Sequence, residues 1–286
     1  MPSLDNTADE KPAIDPILLK VLDAVPFRLS IDDGIEAVRQ RLRDLPRQPV
    51  PVVLYLHGGG FVMGDLDTHD GPCRQHAVGA DAIVVSVDYR LAPEHPYPAA
   101  IEDAWAATRW VAEHGRQVGA DLGRIAVAGD SAGGTIAAVI AQRARDMGGP
   151  PIVFQLLWYP STLWDQSLPS LAENADAPIL DVKAIAAFSR WYAGEIDLHN
   201  PPAPMAPGRA ENLADLPPAY IAVAGYDPLR DDGIRYGELL AAAGVPVEVH
   251  NAQTLVHGYV GYAGVVPAAT EATNRGLVAL RVVLHG

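Results

Sequence analysis

Cysteine is almost absent from this chain. A single thiol, Cys73, has no partner for an intramolecular disulfide, so a disulfide-stapled secreted fold is excluded. Basic residues are scarce too: 21 lysines and arginines stand against 35 aspartates and glutamates, a net charge of −14. Gripping nucleic acid through its phosphates needs a basic face, so no nucleic-acid partner is expected. No apolar run approaches the roughly 18 residues of a membrane span. The opening MPSLDNTADEKPAIDP has no basic segment leading into an apolar one, so no secretory signal is read there. No His/Cys group has zinc-ligand spacing, and no metal is expected. These absences point to a soluble, cytoplasmic protein.

Apolar residues, at 49% of 286, are abundant enough to fill a sizeable core. Residues 1–13 are polar. Asp15-Pro16 then has the form of a helix start, and Ile14, Ile17, Leu18, Val21, Leu22 and Val25 recur at helical spacing. Ser30 and Asp33 open a second amphipathic stretch ending near Leu45. From there the pattern changes to short apolar runs at 50–56, 82–87, 124–129, 152–158, 219–225 and 245–250. Ala-rich helical stretches at 99–114, 132–147, 182–193 and 231–243 lie between most of them. Unalternating β-branched runs separated by helices predict an α/β fold with a mostly parallel sheet covered on both faces. The Pro-rich segment 161–218 reads as an insertion above that sheet.

The chemistry begins at AVAGDSAGGTI (126–136), where Ser131 lies in a G-x-S-x-G pattern between a predicted strand and a predicted helix. A strand–turn–helix elbow projects such a serine outward at a helix N-terminus, where free N–H groups and the positive dipole end gather. A plain turn serine capping a helix is the competing reading. HGGG (57–60) follows another strand, and its consecutive glycines suit backbone N–H groups turned toward a developing oxyanion. The expected donors are Gly59, Gly60 and Ala132, with Gly58 shaping the turn. A nucleophilic serine needs a base, and the base an orienting acid. Of nine histidines, His257 in LVHGY lies just past the last predicted strand, at the sheet edge where open α/β folds bind ligands. Asp227 ends the run YIAVAGYD in the same way, whereas Asp231 and Asp232 are expected to cap the next helix. The chain order Ser131, Asp227, His257 is that of α/β-hydrolases.

Together HGGGFVMGD, DYRLAPEHPYPAAIEDA, GDSAGG, YDPLRDDG and HGY resemble the hormone-sensitive-lipase-like carboxylesterases, bacterial family IV, from about Val50 onward. The resemblance implies an α/β-hydrolase core at 50–160 and 219–286, with a helical cap built from residues 1–49 and the insertion 161–218. It implies hydrolysis of small carboxylic esters of short-to-medium acyl chain, without cofactor or metal. Its nucleophile, acid and base fall on Ser131, Asp227 and His257. Bulky residues for the substrate pocket are sought in Trp158, Tyr159, Trp164, Trp191, Tyr192 and Tyr259. Arg90 and Glu94 are expected to brace loops as an ion pair. The family's small N-terminal β-hairpin has no room between Leu45 and Val50. Its loss would leave residues 82–88 as an uncovered edge strand, open to homodimerisation or self-association. An amidase or peptidase with the same triad, and a non-catalytic binder on the same scaffold, remain the alternatives.

Overall fold

The run VPVVLYL extends because its branched side chains fit a pleated surface buried on both sides. In the computed structural model, which describes residues 48–286, it forms strand β1 (Val50–Leu56). The two helices expected before Leu45 lie outside the described residues. After β1 come α1 (Asp70–Ala80), β2 (Ile83–Val87), α2 (Ala99–His114), β3 (Ala120–Asp130) and α3 (Ala132–Asp146). Then follow β4 (Ile152–Trp158), α4 (Pro169–Glu173), α5 (Val182–Ala193), β5 (Ala219–Tyr226), α6 (Arg230–Ala242), β6 (Val247–Val256) and α7 (Pro267–His285).

The six strands pair in the order β2-β1-β3-β4-β5-β6, all parallel. The order reverses between β1 and β3, and the crevice beyond their C-terminal ends is where such sheets hold ligands. Alternation along β1 divides the core. Val52, Leu54 and Leu56 pack with Ala104 of α2, Ile136 and Ile140 of α3, and Leu240 of α6. Val53 and Tyr55 face the other way, toward Cys73 and Ala80 of α1 and Leu277, Leu280 and Leu284 of α7.

The predicted strands and helices recur with small shifts. Strand β3 begins earlier, at Ala120, and β6 runs on to Val256, which delivers His257 directly from a strand end. Two flanking helices were not foreseen. Helix α1 (DGPCRQHAVGA) contains Pro and two Gly, and α7 buries Ala269, Ala272, Thr273 and Gly276 beside its leucines. Small residues on the buried face make a helical stripe faint in sequence. No helix among the described residues is long and apolar enough to cross a membrane.

Candidate active site

Ser131 stands at the turn from β3 into α3 with φ 54° and ψ −120°, a backbone conformation strained for a residue with a side chain. Its N–H donates to the Trp158 carbonyl at 2.8 Å and its carbonyl accepts from the Thr135 N–H, so both flanks fix the turn. The sharp elbow requires the helix to press on β1. A Cβ on Gly133 would overlap the Leu56 carbonyl oxygen, which explains the glycine.

Three side chains from three strand ends form a line. His257 Nε2 lies 2.9 Å from the Ser131 hydroxyl, and its Nδ1 lies 2.7 Å from Asp227 Oδ2. Asp227 is fully buried, and its other oxygen accepts the Leu229 N–H at 2.8 Å. The carboxylate is thus held on two sides and can orient the imidazole with Nδ1 protonated, leaving Nε2 to accept a proton from serine. Asp231 and Asp232 take other work. Asp231 accepts the Ser170 N–H, and buried Asp232 accepts the N–H groups of Thr162, Leu163 and Trp164 together with the Thr162 hydroxyl. Burial raises the Asp232 carboxyl above the ordinary aspartate value, against the opposing pull of these donors.

A cavity of about 290 Å³ opens over Ser131 and His257. Gly59, Gly60 and Ala132 are among the residues that line it. Gly59 has φ +115°, and a Cβ there would strike the Met63 carbonyl. Gly58 does not line the cavity. Its N–H donates to Asp130 Oδ1 at 3.0 Å and lies 3.3 Å from His69 Nε2.

That contact exposes a group which motif reading passed over. Asp130, the x before Ser131, is buried beneath the glycine loop. Its Oδ1 also accepts the Tyr55 hydroxyl at 2.8 Å, and its Oδ2 lies 3.5 Å from His69 Nε2. Burial alone would raise this carboxyl, but His69 and the Tyr55 hydroxyl outweigh it and hold it below the ordinary value. Burial works to lower His69, yet Asp130 and Asp65 together raise it. His57 is buried too, stacked on Tyr89 with centroids 4.1 Å apart, and Tyr89 donates to the His57 carbonyl at 2.6 Å. Burial holds His57 below the ordinary histidine value.

The expected pocket aromatics fall mostly elsewhere. Only Trp164 lines the cavity. Trp158 is in the core and donates to His76 Nε2 at 3.0 Å. Tyr159 packs behind the imidazole of His257, centroids 4.7 Å apart, and Tyr259 packs against Tyr159. Tyr192 is buried against Phe61 at 3.8 Å, and Trp191 is 48% exposed on the outer side of α5. From the same helix it is Phe188, three residues earlier, that reaches the cavity, with Ala184, Ile185 and Ser189. Phe61, Met63, Ile179, Leu180 and Leu229 complete an apolar lining. The expected Arg90–Glu94 pair is also replaced: Arg90 grips Asp103 with two bonds of 2.8 Å, because α2 turns Asp103 toward the loop. No cluster of metal-ligating side chains occurs among the described residues.

A family model described as the alpha/beta hydrolase fold matches residues 53–261. The chain is 89% identical to Esterase LipI of Mycobacterium tuberculosis, with all of both chains covered. That alignment runs over 320 positions, more than the 286 residues here, so LipI has positions without a counterpart in this chain. Carboxylesterase NlhH of the same species is 54% identical, covering 96% of this chain and 98% of its own. Among solved structures, DphMB1 superposes with a TM-score of 0.81 at 60% identity, over 96% of this chain and 100% of that one. With the parallel sheet and the serine elbow, these likenesses make the chain a member of the α/β-hydrolase fold family, in its hormone-sensitive-lipase-like esterase branch.

Proposed function

We propose that the chain hydrolyses small carboxylic esters by way of an acyl-enzyme, with Ser131 as nucleophile, His257 as base and Asp227 as its orienting acid. The observation that carries this reading is the unbroken line from Asp227 through His257 to Ser131 at the floor of an open cavity. His257 takes the hydroxyl proton as Ser131 Oγ attacks the ester carbon. The carbonyl oxygen becomes an oxyanion facing the N–H groups of Gly59, Gly60 and Ala132. Collapse expels the alcohol with the proton from His257, and a water molecule repeats the sequence to release the acid. The names of the relatives, esterase and carboxylesterase, support the reaction class.

The cavity supports short-to-medium acyl chains, since about 290 Å³ ringed by Phe188, Trp164 and Met63 ends before a long chain does. The decisive test is mass spectrometry after a serine-directed organophosphonate. One adduct is expected, on Ser131; labelling at another serine overturns the assignment. Parallel turnover of an ester and an amide of one acid separates an esterase from an amidase. Self-association through strand β2, at the edge of the described sheet, completes the reading.

A further inference from the structure

The cavity over Ser131 has a neighbour. A second space of only about 20 Å³ lies behind it, and the two share Ser161, Trp164, Ile185, Ser189 and Leu229 as a common partition. Leu168, Leu171 and Pro228 close the far side of the small space. The members of the partition differ in character. Ser161 and Ser189 are small. Trp164 is fixed, because Asp232 holds its N–H and those of the two residues before it. Ile185 and Leu229 are the branched apolar side chains that remain, one from α5 and one from the turn after β5.

We propose that Ile185 and Leu229 are specificity-determining residues: they form the end wall that sets the longest substrate arm, with an annexe behind it reserved by Leu171. The inference rests on the reading that substrate is attacked by Ser131 in this cavity. An arm that reaches the wall must stop there, because the annexe behind it holds only about one water-sized volume. Removing atoms from the wall joins the two spaces, and each methylene newly buried is worth about 0.8 kcal/mol, or about fourfold in kcat/KM.

The test uses Ile185→Ala, with Leu229→Val as a milder second variant, on two ester series. One series holds the alcohol constant and lengthens the acyl chain; the other holds an acetyl group and lengthens the alcohol. In one series the cut-off should move out by at least one methylene, with the ratio of long to short kcat/KM rising about fourfold or more. Which series responds identifies the arm that meets the wall. Adding Leu171→Phe, which fills the annexe from its far side, should restore the parent cut-off. An unchanged cut-off in both series, with both variants folded by circular dichroism, overturns the proposal. So does a shift that survives Leu171→Phe, or an equal shift in both series, since either would mean general loosening. Failure of the underlying reading is seen separately, as full activity in Ser131→Ala.

Discussion

Ser131, His257 and Asp227 touch in series, so in the proposed mechanism each loses its use without the others. Ser131→Ala should lower kcat by about 10⁴-fold or more with the melting temperature unchanged. Asp227→Asn should cost about 10⁴-fold, because an amide opposite Nδ1 favours the wrong imidazole tautomer. Asp231→Asn should cost far less, since that carboxylate accepts a backbone N–H of α4 rather than touching His257. Steady-state kinetics on one activated ester ranks the three, and equal losses for the two aspartates would contradict the assignment. Beside them, His69 and Asp130 make stability depend on pH. His69 is raised in the folded chain, so its contribution is complete below its unfolded value of about 6.5 and is lost as pH rises through the folded value. Asp130 is lowered, so its contribution holds above about 3.9 and is lost as pH falls through the folded value. Stability should be greatest between these limits. A thermal melt series from pH 6 to 9 should show a decline in the parent that His69→Gln flattens.

Among the elements, the chain after β4 depends on a carboxylate from α6. Trp164 has φ 55° and lines the cavity, and its loop is pinned by three backbone N–H groups converging on Asp232. In Asp232→Asn an amide N–H₂ replaces one accepting oxygen and faces donors. A buried donor without an acceptor costs about 1–3 kcal/mol. The melting temperature should fall by several degrees, and KM should rise more than kcat falls, since Trp164 shapes the cavity without touching Ser131. Calorimetry with kinetics checks both. Element type was legible wherever β-branched runs or wide apolar stripes occur, as in β1, β4 and α5. It was not legible in α1, whose buried face is Cys73, His76 and Ala80, or in α7, whose buried face is built partly from Ala, Thr and Gly.

For the whole molecule, the described sheet ends at β2 on one side and β6 on the other. The run Ile83-Val84-Val85-Ser86-Val87 carries neither charge nor proline, the usual guards of an edge. Edge pairing between copies predicts that light scattering after size exclusion gives a mass rising with concentration; a constant monomer mass would contradict it. A lysine at Val85 is a poor probe of that edge, because Ile83 and Val85 pack against one core cluster and Val84 against the other. Charge on the inner faces of β2 would disturb the fold before it blocked a partner.

Sequence by itself determined the parallel α/β layering, because runs such as VPVVLYL and AYIAVAG have no polar face to leave in water. It determined the elbow at Ser131 as well, because glycine spacing there answers a steric demand within a few residues. Asp227 and His257 could be placed because both follow strand ends, and parallel strands bring all such ends to one edge. Tertiary structure alone decided the rest. It set Asp130 beneath Gly58, gave Asp232 to the loop of Trp164, paired Arg90 with Asp103, and sent Phe188 rather than Trp191 into the cavity. Those choices depend on helix rotation and on contacts between residues distant in the chain. Local pattern carries the period of an element, whereas the direction each side chain finally faces is set by the packing of neighbouring elements.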